Sequence, residues 1–299
     1  MKLPFVKYQG TGNDFVLIDN RYGAWQTYTA LKVPADFSSE KELVAHICHR
    51  QFGVGADGLM LLQPKSGYDF EMIYFNSDGG LSSMCGNGGR CIAALAFTLG
   101  LGDTISADAT APNAGMEESQ ANLSAEKLLK FWAPDGEHQA WELTNHQIAL
   151  SMNPVNQVTN LGEEKWELNT GSPHFIQFEK GDLGDIDLVD WARSIRYSER
   201  YMPAGINVNA VKILNHGAIA MRTYERGVEN ETLSCGTGVT AAAIAYVNGL
   251  GLDPTTYTKH QVSVETAGGQ LHVRFAAQNG RFDEILLIGP ATFVFEGSL

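Results

Sequence analysis

The sequence predicts an α/β chain of the α+β type, built as two related halves that each enclose one apolar helix. Three observations carry this reading. Short β-rich runs alternate with helices along the chain. Two alanine-rich helices are apolar nearly all round, so each has to be enclosed, for instance at the centre of a curved sheet. Each of these helices follows a glycine-rich segment with one cysteine, Met84-Cys85-Gly86-Asn87-Gly88-Gly89-Arg90 and Ser234-Cys235-Gly236-Thr237-Gly238-Val239, about half the chain apart. At 299 residues and 44% hydrophobic, the chain can bury two cores, and the repeat implies two domains facing each other across a cleft.

The elements read in order as follows. Phe5–Tyr8 and Phe15–Asp19 are strands separated by Gly10-Thr11-Gly12-Asn13, a turn whose glycines allow positive φ. Ser38-Ser39-Glu40-Lys41-Glu42 resembles a capping box ahead of a helix carrying Leu43, Val44 and Ile47. Gly58–Leu62 and Phe70–Phe75 form a buried pair that ends in the turn Asn76-Ser77-Asp78-Gly79-Gly80. The first apolar helix is expected from about Gly89 to Gly100. From about Gly102 to Ala125 the chain turns polar and small, which predicts a mobile loop or insertion. Strands resume at Leu128–Trp132 and Gln147–Met152. The second half then repeats the plan: the turn Thr170-Gly171-Ser172-Pro173-His174, a strand at Phe175–Phe178, a helix around Leu188–Ile195, strands at Asn207–Val211 and Ala218–Tyr224, the second cysteine helix, and closing strands.

Composition restricts the partners. A net charge of −13 without a run of Lys or Arg excludes a nucleic-acid partner and points to a small ligand. No stretch approaches the roughly 20 apolar residues of a membrane span, and Met1–Gly10 lacks a signal-peptide core, so the expected location is cytoplasmic. A reducing compartment suits the four cysteines. Cys48 and Cys91 read as buried small hydrophobes, and Cys85 and Cys91 lack the spacing of a zinc site, so no metal is expected. Cys85 and Cys235 stand apart because each precedes a helix. There the unpaired N–H groups and the positive end of the dipole stabilise an anion and lower a thiol's pKa.

Six motifs in order carry a resemblance over nearly the whole chain: Gly10-Thr11-Gly12-Asn13-Asp14-Phe15, Gly53-Val54-Gly55-Ala56-Asp57-Gly58, Phe75-Asn76-Ser77-Asp78-Gly79, Met84 to Cys91, Gly205-Ile206-Asn207, and Tyr224-Glu225-Arg226-Gly227 ahead of Ser234 to Gly238. With these the chain resembles the diaminopimelate epimerase family of cofactor-independent, two-cysteine amino acid epimerases. The resemblance implies two pseudo-symmetric domains, each a curved mixed β-sheet or barrel around a central helix. Residues 1–151 with a returning C-terminal strand 290–299 would form one, and 152–289 the other. It implies Cys85 and Cys235 as catalytic residues, with Asn13, Asn76, Gly86, Asn87, Asn207, Glu225, Arg226, Gly236 and Thr237 in contact with diaminopimelate. His174 and Glu225 would tune the cysteines, no cofactor would be required, and the assembly would be a homodimer. Ser172 and Gly58 stand where relatives carry asparagine and glutamine, and both are left outside the binding set.

The chemistry is consistent with this on its own terms. An amino acid's α-proton is weakly acidic, so its removal requires a strong local base and support for charge spreading onto the carboxylate. Helix N–H groups at Gly86-Asn87 and Gly236-Thr237 would supply that support, and one thiol on each face of Cα would invert it. Arginine suits a distal carboxylate and glutamate an ammonium, and no lysine sits in a setting that suggests a Schiff base. Three other readings share some of these residues: a proline or hydroxyproline racemase-like enzyme, a redox protein using a Cys85–Cys235 disulfide, and a non-catalytic anion-binding module.

Overall fold

The computed structural model describes residues 2–105, 125–251 and 255–299. They fall into two compact units, one of residues 2–105, 125–150 and 290–299, the other of 151–251 and 255–289. The chain runs β1 (Pro4–Gly10), β2 (Asn13–Asp19), α1 (Ala24–Asp36), α2 (Glu40–Cys48), β3 (Gly58–Gln63), β4 (Phe70–Asn76), α3 (Gly86–Thr98), β5 (Asp103–Thr104), β6 (Ala125–Ala133), β7 (Gly136–Leu143) and β8 (Ile148–Ser151). It continues with β9 (Val158–Gly162), β10 (Lys165–Asn169), β11 (Pro173–Phe178), α4 (Leu188–Arg196), β12 (Asn207–Asn215), β13 (Ala218–Glu225), β14 (Asn230–Thr232), α5 (Gly236–Gly249), β15 (Thr258–Thr266), β16 (Gly269–Gln278) and β17 (Arg281–Gly289). β18 (Thr292–Ser298) belongs to the first unit and pairs antiparallel with β1.

Both units use one strand plan. In the first, β1–β2 is antiparallel, β2–β3 parallel, β3–β4 antiparallel, β4–β6 parallel, and β6–β7 and β7–β8 antiparallel. In the second, β10–β11 is antiparallel, β11–β12 parallel, β12–β13 antiparallel, β13–β15 parallel, and β15–β16 and β16–β17 antiparallel. The outer strands β18 and β9 add antiparallel to β1 and β10. The protein is therefore an α+β chain of two pseudo-symmetric units.

Each mixed sheet curves round its own helix. α3 touches β1, β2, β3 and β7, and α5 touches β10 to β13 and β15 to β17. Strands so far apart in one sheet reach the same helix only if the sheet wraps it. Both helices are buried over nearly their whole length, with alanine and larger apolar residues on most sides. On β2 the alternation divides the layers: Phe15 points toward the Gly88 position of α3, while Val16 and Ile18 join Trp25, Tyr28, Leu43, Val44 and Ile47 beneath α1 and α2. The second unit repeats the outer layer with α4, whose Leu188 and Ala192 pack on Phe175, Val208, Ala210 and Tyr224.

Several expectations need adjustment. α3 and α5 begin at Gly86 and Gly236, earlier than the apolar period indicates, because the glycines themselves form the first turn. A side chain at Gly88 or Gly89 would run into Met60, Met84 or Leu150, so close packing explains the composition. α1 is an additional helix with only Trp25 and Tyr28 buried, too little apolar surface to produce a period. α2 does start at a capping serine, Ser39 accepting from Glu42 N at 3.2 Å. The polar segment expected from about Gly102 to Ala125 is bounded by structure, since Asp103–Thr104 pairs with β6; its residues 106–124 lie outside the described residues.

Candidate active site

In the first unit the site residues gather where strand ends meet the first turn of α3. The β1–β2 hairpin closes through Thr11 (φ 52°) and Gly12 (φ 86°), both left-handed, so the turn is tight and Asn13 opens β2. Asn13 Nδ2 donates to Asp57 Oδ2 at 2.6 Å, which leaves its Oδ1 to face the Cys85 thiol, 3.6 Å away. Asp57 is gripped by Arg50 at 2.6 Å, and Asp14 by Lys7 at 2.8 Å and Arg50 at 2.9 Å. Burial opposes ionisation of Asp14, but hydrogen bonds and charge from Arg50 and Lys7 prevail and hold its carboxyl below the usual range.

Cys85 is the N-cap of α3, and the helical ladder begins with Gly89 N to Cys85 O at 2.7 Å, so the Gly86 and Asn87 N–H groups lie ahead of it. The Asn87 side chain is buried, its Oδ1 accepting from Arg90 Nη2 at 3.1 Å. Asn76 is the exposed last residue of β4, where Asn76 N donates to Gly80 O and Asn76 O accepts from Gly79 N.

Arg90 was not among the expected site residues. It is wholly buried, and burial pushes its guanidinium down to about 10. Besides Asn87 it reaches Thr11 Oγ1, Gly86 O and Pro290 O, each at 3.4 Å, tying the Asn13 turn to the Cys85 helix. A single arginine inside an all-apolar helix was the sequence signal.

In the second unit, Cys235 caps α5, whose ladder starts with Val239 N to Cys235 O at 2.8 Å. Its Sγ is 3.4 Å from Thr237 Oγ1. Thr237 Oγ1 lies 2.9 Å from His174 Nε2 and 3.0 Å from Ser172 Oγ, which is itself 3.0 Å from His174 Nε2. Thr170 Oγ1 fastens this turn to α5 through Thr237 O at 2.8 Å. His174 is fully buried; burial, with the charge of Arg226 added, pushes its imidazole down to about 3, and the ring is neutral at physiological pH.

Asn207 binds Ser172 Oγ and Pro173 O through Nδ2 and accepts Arg226 N on Oδ1 at 2.8 Å. Both its amide hydrogens are engaged within the protein. Glu225 Oε2 accepts from Thr232 Oγ1 at 3.1 Å, and Arg226 Nη1 donates to Ala204 O at 3.2 Å. The structure therefore gathers Asn13, Gly86 and Asn87 about Cys85, and His174, Asn207, Glu225, Arg226, Gly236 and Thr237 about Cys235. None of the four cysteines is in a disulfide, and among the described residues no group of three or more His, Cys, Asp or Glu is placed to hold a metal ion.

The loop carrying Arg226 has its own anchor, Glu229, which sequence reading overlooked. Its carboxylate receives Gly227 N at 3.0 Å, Tyr197 OH at 2.7 Å, Arg196 Nη2 at 2.9 Å and Tyr224 OH at 3.1 Å. Burial opposes its ionisation, yet these donors bring it down to about 2. A depressed carboxylate contributes stability above its unfolded value, and that contribution disappears as pH falls through the folded one. Glu229→Gln is expected to lower Tm at pH 7 by about 2–4 °C, the shift for roughly 1 kcal/mol in a unit of this size. In thermal melts the gap to the parent protein should shrink from pH 4.5 downward and vanish near pH 2; a gap that persisted there would exclude the charged form as its source.

Residues 5–117 and 168–294 match the family model for diaminopimelate epimerase. The chain is 41% identical over 294 residues to the diaminopimelate epimerase of Flavobacterium psychrophilum, with 98% of each chain covered. It is 36% identical over 299 residues to that of Methanocella arvoryzae, covering 100% of this chain and 97% of the relative. Among solved structures it shares a fold with a PhzF-family phenazine biosynthesis protein of Bacillus anthracis, at TM-score 0.67 and 12% identity over 100% of this chain and 99% of that one. A probable proline racemase from Agrobacterium radiobacter follows at TM-score 0.63 and 13% identity, covering 99% and 92%. At those identities the likeness is one of fold alone. The sequence matches extend through both repeats and include both cysteine-capped helices, and on them the chain belongs to the diaminopimelate epimerase family.

Proposed function

We propose that this protein is an isomerase that epimerises LL-2,6-diaminopimelate to meso-diaminopimelate, a step in lysine and peptidoglycan precursor synthesis. The observation that carries the reading is the repeated thiol: Cys85 and Cys235 cap corresponding helices in two units of one strand plan. Inversion requires one group to take the α-proton from one face of Cα and a second to deliver a proton to the other. A thiolate and a thiol perform these roles and exchange them in the reverse direction, with no cofactor. The N–H groups of Gly86, Asn87, Gly236 and Thr237 receive the α-carboxylate, onto which carbanion charge spreads. Asn13 and Asn76 contribute amide contacts, Asn207 contributes the second lone pair of its Oδ1, and His174 and Glu225 tune the thiols. Arg226 and Glu225 read the distal carboxylate and ammonium.

The assembly proposed is a homodimer, supported by β18, which exposes Phe293, Val294 and Phe295 to 49%, 47% and 42%. The location proposed is the cytoplasm, supported by four cysteines none of which is in a disulfide. No helix among the described residues is long and apolar enough to cross a membrane.

Four outcomes are expected. Cys85→Ala and Cys235→Ala should each lower epimerisation by about 10²–10⁴-fold, the usual contribution of a positioned proton-transfer group. In D₂O the parent enzyme should place deuterium at the α-carbon of diaminopimelate; near-normal turnover in either variant would exclude the two-base mechanism. Arg226→Ala should cost diaminopimelate turnover roughly 2–5 kcal/mol, the loss for a buried charge left unpaired, while trace activity on lysine, which lacks the distal carboxylate, changes little. Equal losses on both substrates would give Arg226 a purely structural role. In analytical ultracentrifugation the protein should sediment at twice its chain mass of 32.5 kDa, and a species of single chain mass at micromolar concentration would refute the dimer.

A further inference from the structure

Behind His174 lies a buried amide that the proposed chemistry does not use. Asn209 is 0% exposed on β12, two residues beyond Asn207 and on the same face of the strand. Its Nδ2 donates to Phe175 O at 2.8 Å, and its Oδ1 accepts from Thr223 Oγ1 at 2.9 Å. A flipped amide would set oxygen against the Phe175 carbonyl, so the orientation is settled by its partners. That orientation places an N–H donor 3.2 Å from His174 Nδ1. Nδ1 must then hold the lone pair, and the proton of the neutral ring sits on Nε2.

The consequence runs forward to the thiol. With Nε2 as donor, Thr237 Oγ1 and Ser172 Oγ receive N–H groups from His174 and from Asn207. The two hydroxyl protons are left to point onward, Ser172 toward Thr237 and Thr237 toward Cys235 Sγ. In the opposite tautomer Nε2 becomes an acceptor and competes for those protons. α5 presses on this arrangement: a Cβ at Gly238 would lie 2.9 Å from Asn209 Oδ1 and 3.2 Å from His174 Cε1.

We infer that Asn209 is a positioning residue, holding His174 in the Nε2–H tautomer so that the Thr237 hydroxyl donates to Cys235 and favours its thiolate. This rests on the reading of Cys235 as a proton-transfer group. Among the described residues, the charge that acts on His174 is that of Arg226. α5 presents neutral Thr237, β12 the amides Asn207 and Asn209, and β13 the hydroxyl Thr223. On β10, Leu168 is paired opposite His174, and Glu167 is engaged by Arg200 and Tyr201. Glu225, at the end of β13, is bonded by Thr232.

The test follows thiol reactivity. Iodoacetamide alkylation of Cys235, resolved from Cys85 by peptide mass spectrometry, is measured against pH in the parent protein and in Asn209→Ala. The expected result is about a tenfold slower reaction of Cys235 at a fixed pH below its midpoint, with the midpoint raised by about one unit and Cys85 unchanged. In a Thr237→Val background, Asn209→Ala should add little, because the effect passes through that hydroxyl. An unchanged Cys235 profile, or full additivity with Thr237→Val, would overturn the inference. ¹⁵N NMR of the parent protein gives an arm that needs no variant: a proton found on His174 Nδ1 would also overturn it. Failure of the two-base reading would register separately, as turnover surviving Cys235→Ala.

Discussion

The chemistry proposed for this protein depends on the first turns of two helices. An α-helix leaves its leading N–H groups without intrahelical partners, and here two helices are enclosed by their own sheets so that these ends emerge at the strand termini. Everything assigned to the site is arranged about those two turns. Glycine at 88, 89 and 238 lets neighbouring side chains pack closely on these turns, and a cysteine stands where serine or aspartate usually caps. Neither cysteine side chain makes a capping hydrogen bond, and it is at these turns that the proposed carboxylate binds.

The two units support their cysteines by different means on a shared topology. At Cys85 the neighbouring polar group is an amide oxygen, aimed by Asp57 and backed by a lattice of charge from Lys7, Asp14 and Arg50. At Cys235 the neighbour is a hydroxyl backed by neutral groups, with His174 kept uncharged by burial. An amide oxygen only accepts, whereas a hydroxyl can also donate. Two thiols in equivalent positions are thus offered unlike hydrogen bonds, as suits the alternating proton proposed for them.

Much of this was legible in the sequence, for identifiable reasons. The enclosed helices announced themselves through residues such as Ile92, Ala93, Ile244 and Val247, apolar on every side. Strands such as Phe15–Asp19 and Gly58–Leu62 read clearly because buried parallel neighbours need continuous apolar runs. α1 was hidden because it buries only two aromatic residues, and β9 and β10 because their half-buried faces mix Thr, Asn and Lys. Within the site, cysteines and glycines marked their own positions. Asn209, Glu229 and Arg90 did not, since their roles come from partners distant in sequence or from burial, neither of which a local string displays. Asn207-Val208-Asn209 did carry a period-two hint that two amides share one face.

The return of β18 to β1 has a bearing on biogenesis. Leu299 N donates to Leu3 O at 2.9 Å and Leu3 N to Leu299 O at 3.2 Å, so residues nearly the whole chain apart complete one sheet. The described residues of the second unit, 151–251 and 255–289, lie in sequence between the two parts of the first, and β17 is followed directly by the strand that closes the sheet of the first unit. β1 precedes β18 by nearly the whole sequence, so the edge of β1 that β18 covers has no partner there until β18 has been made. An uncovered strand edge is a template for pairing with another chain, and during synthesis of this molecule that hazard sits at β1.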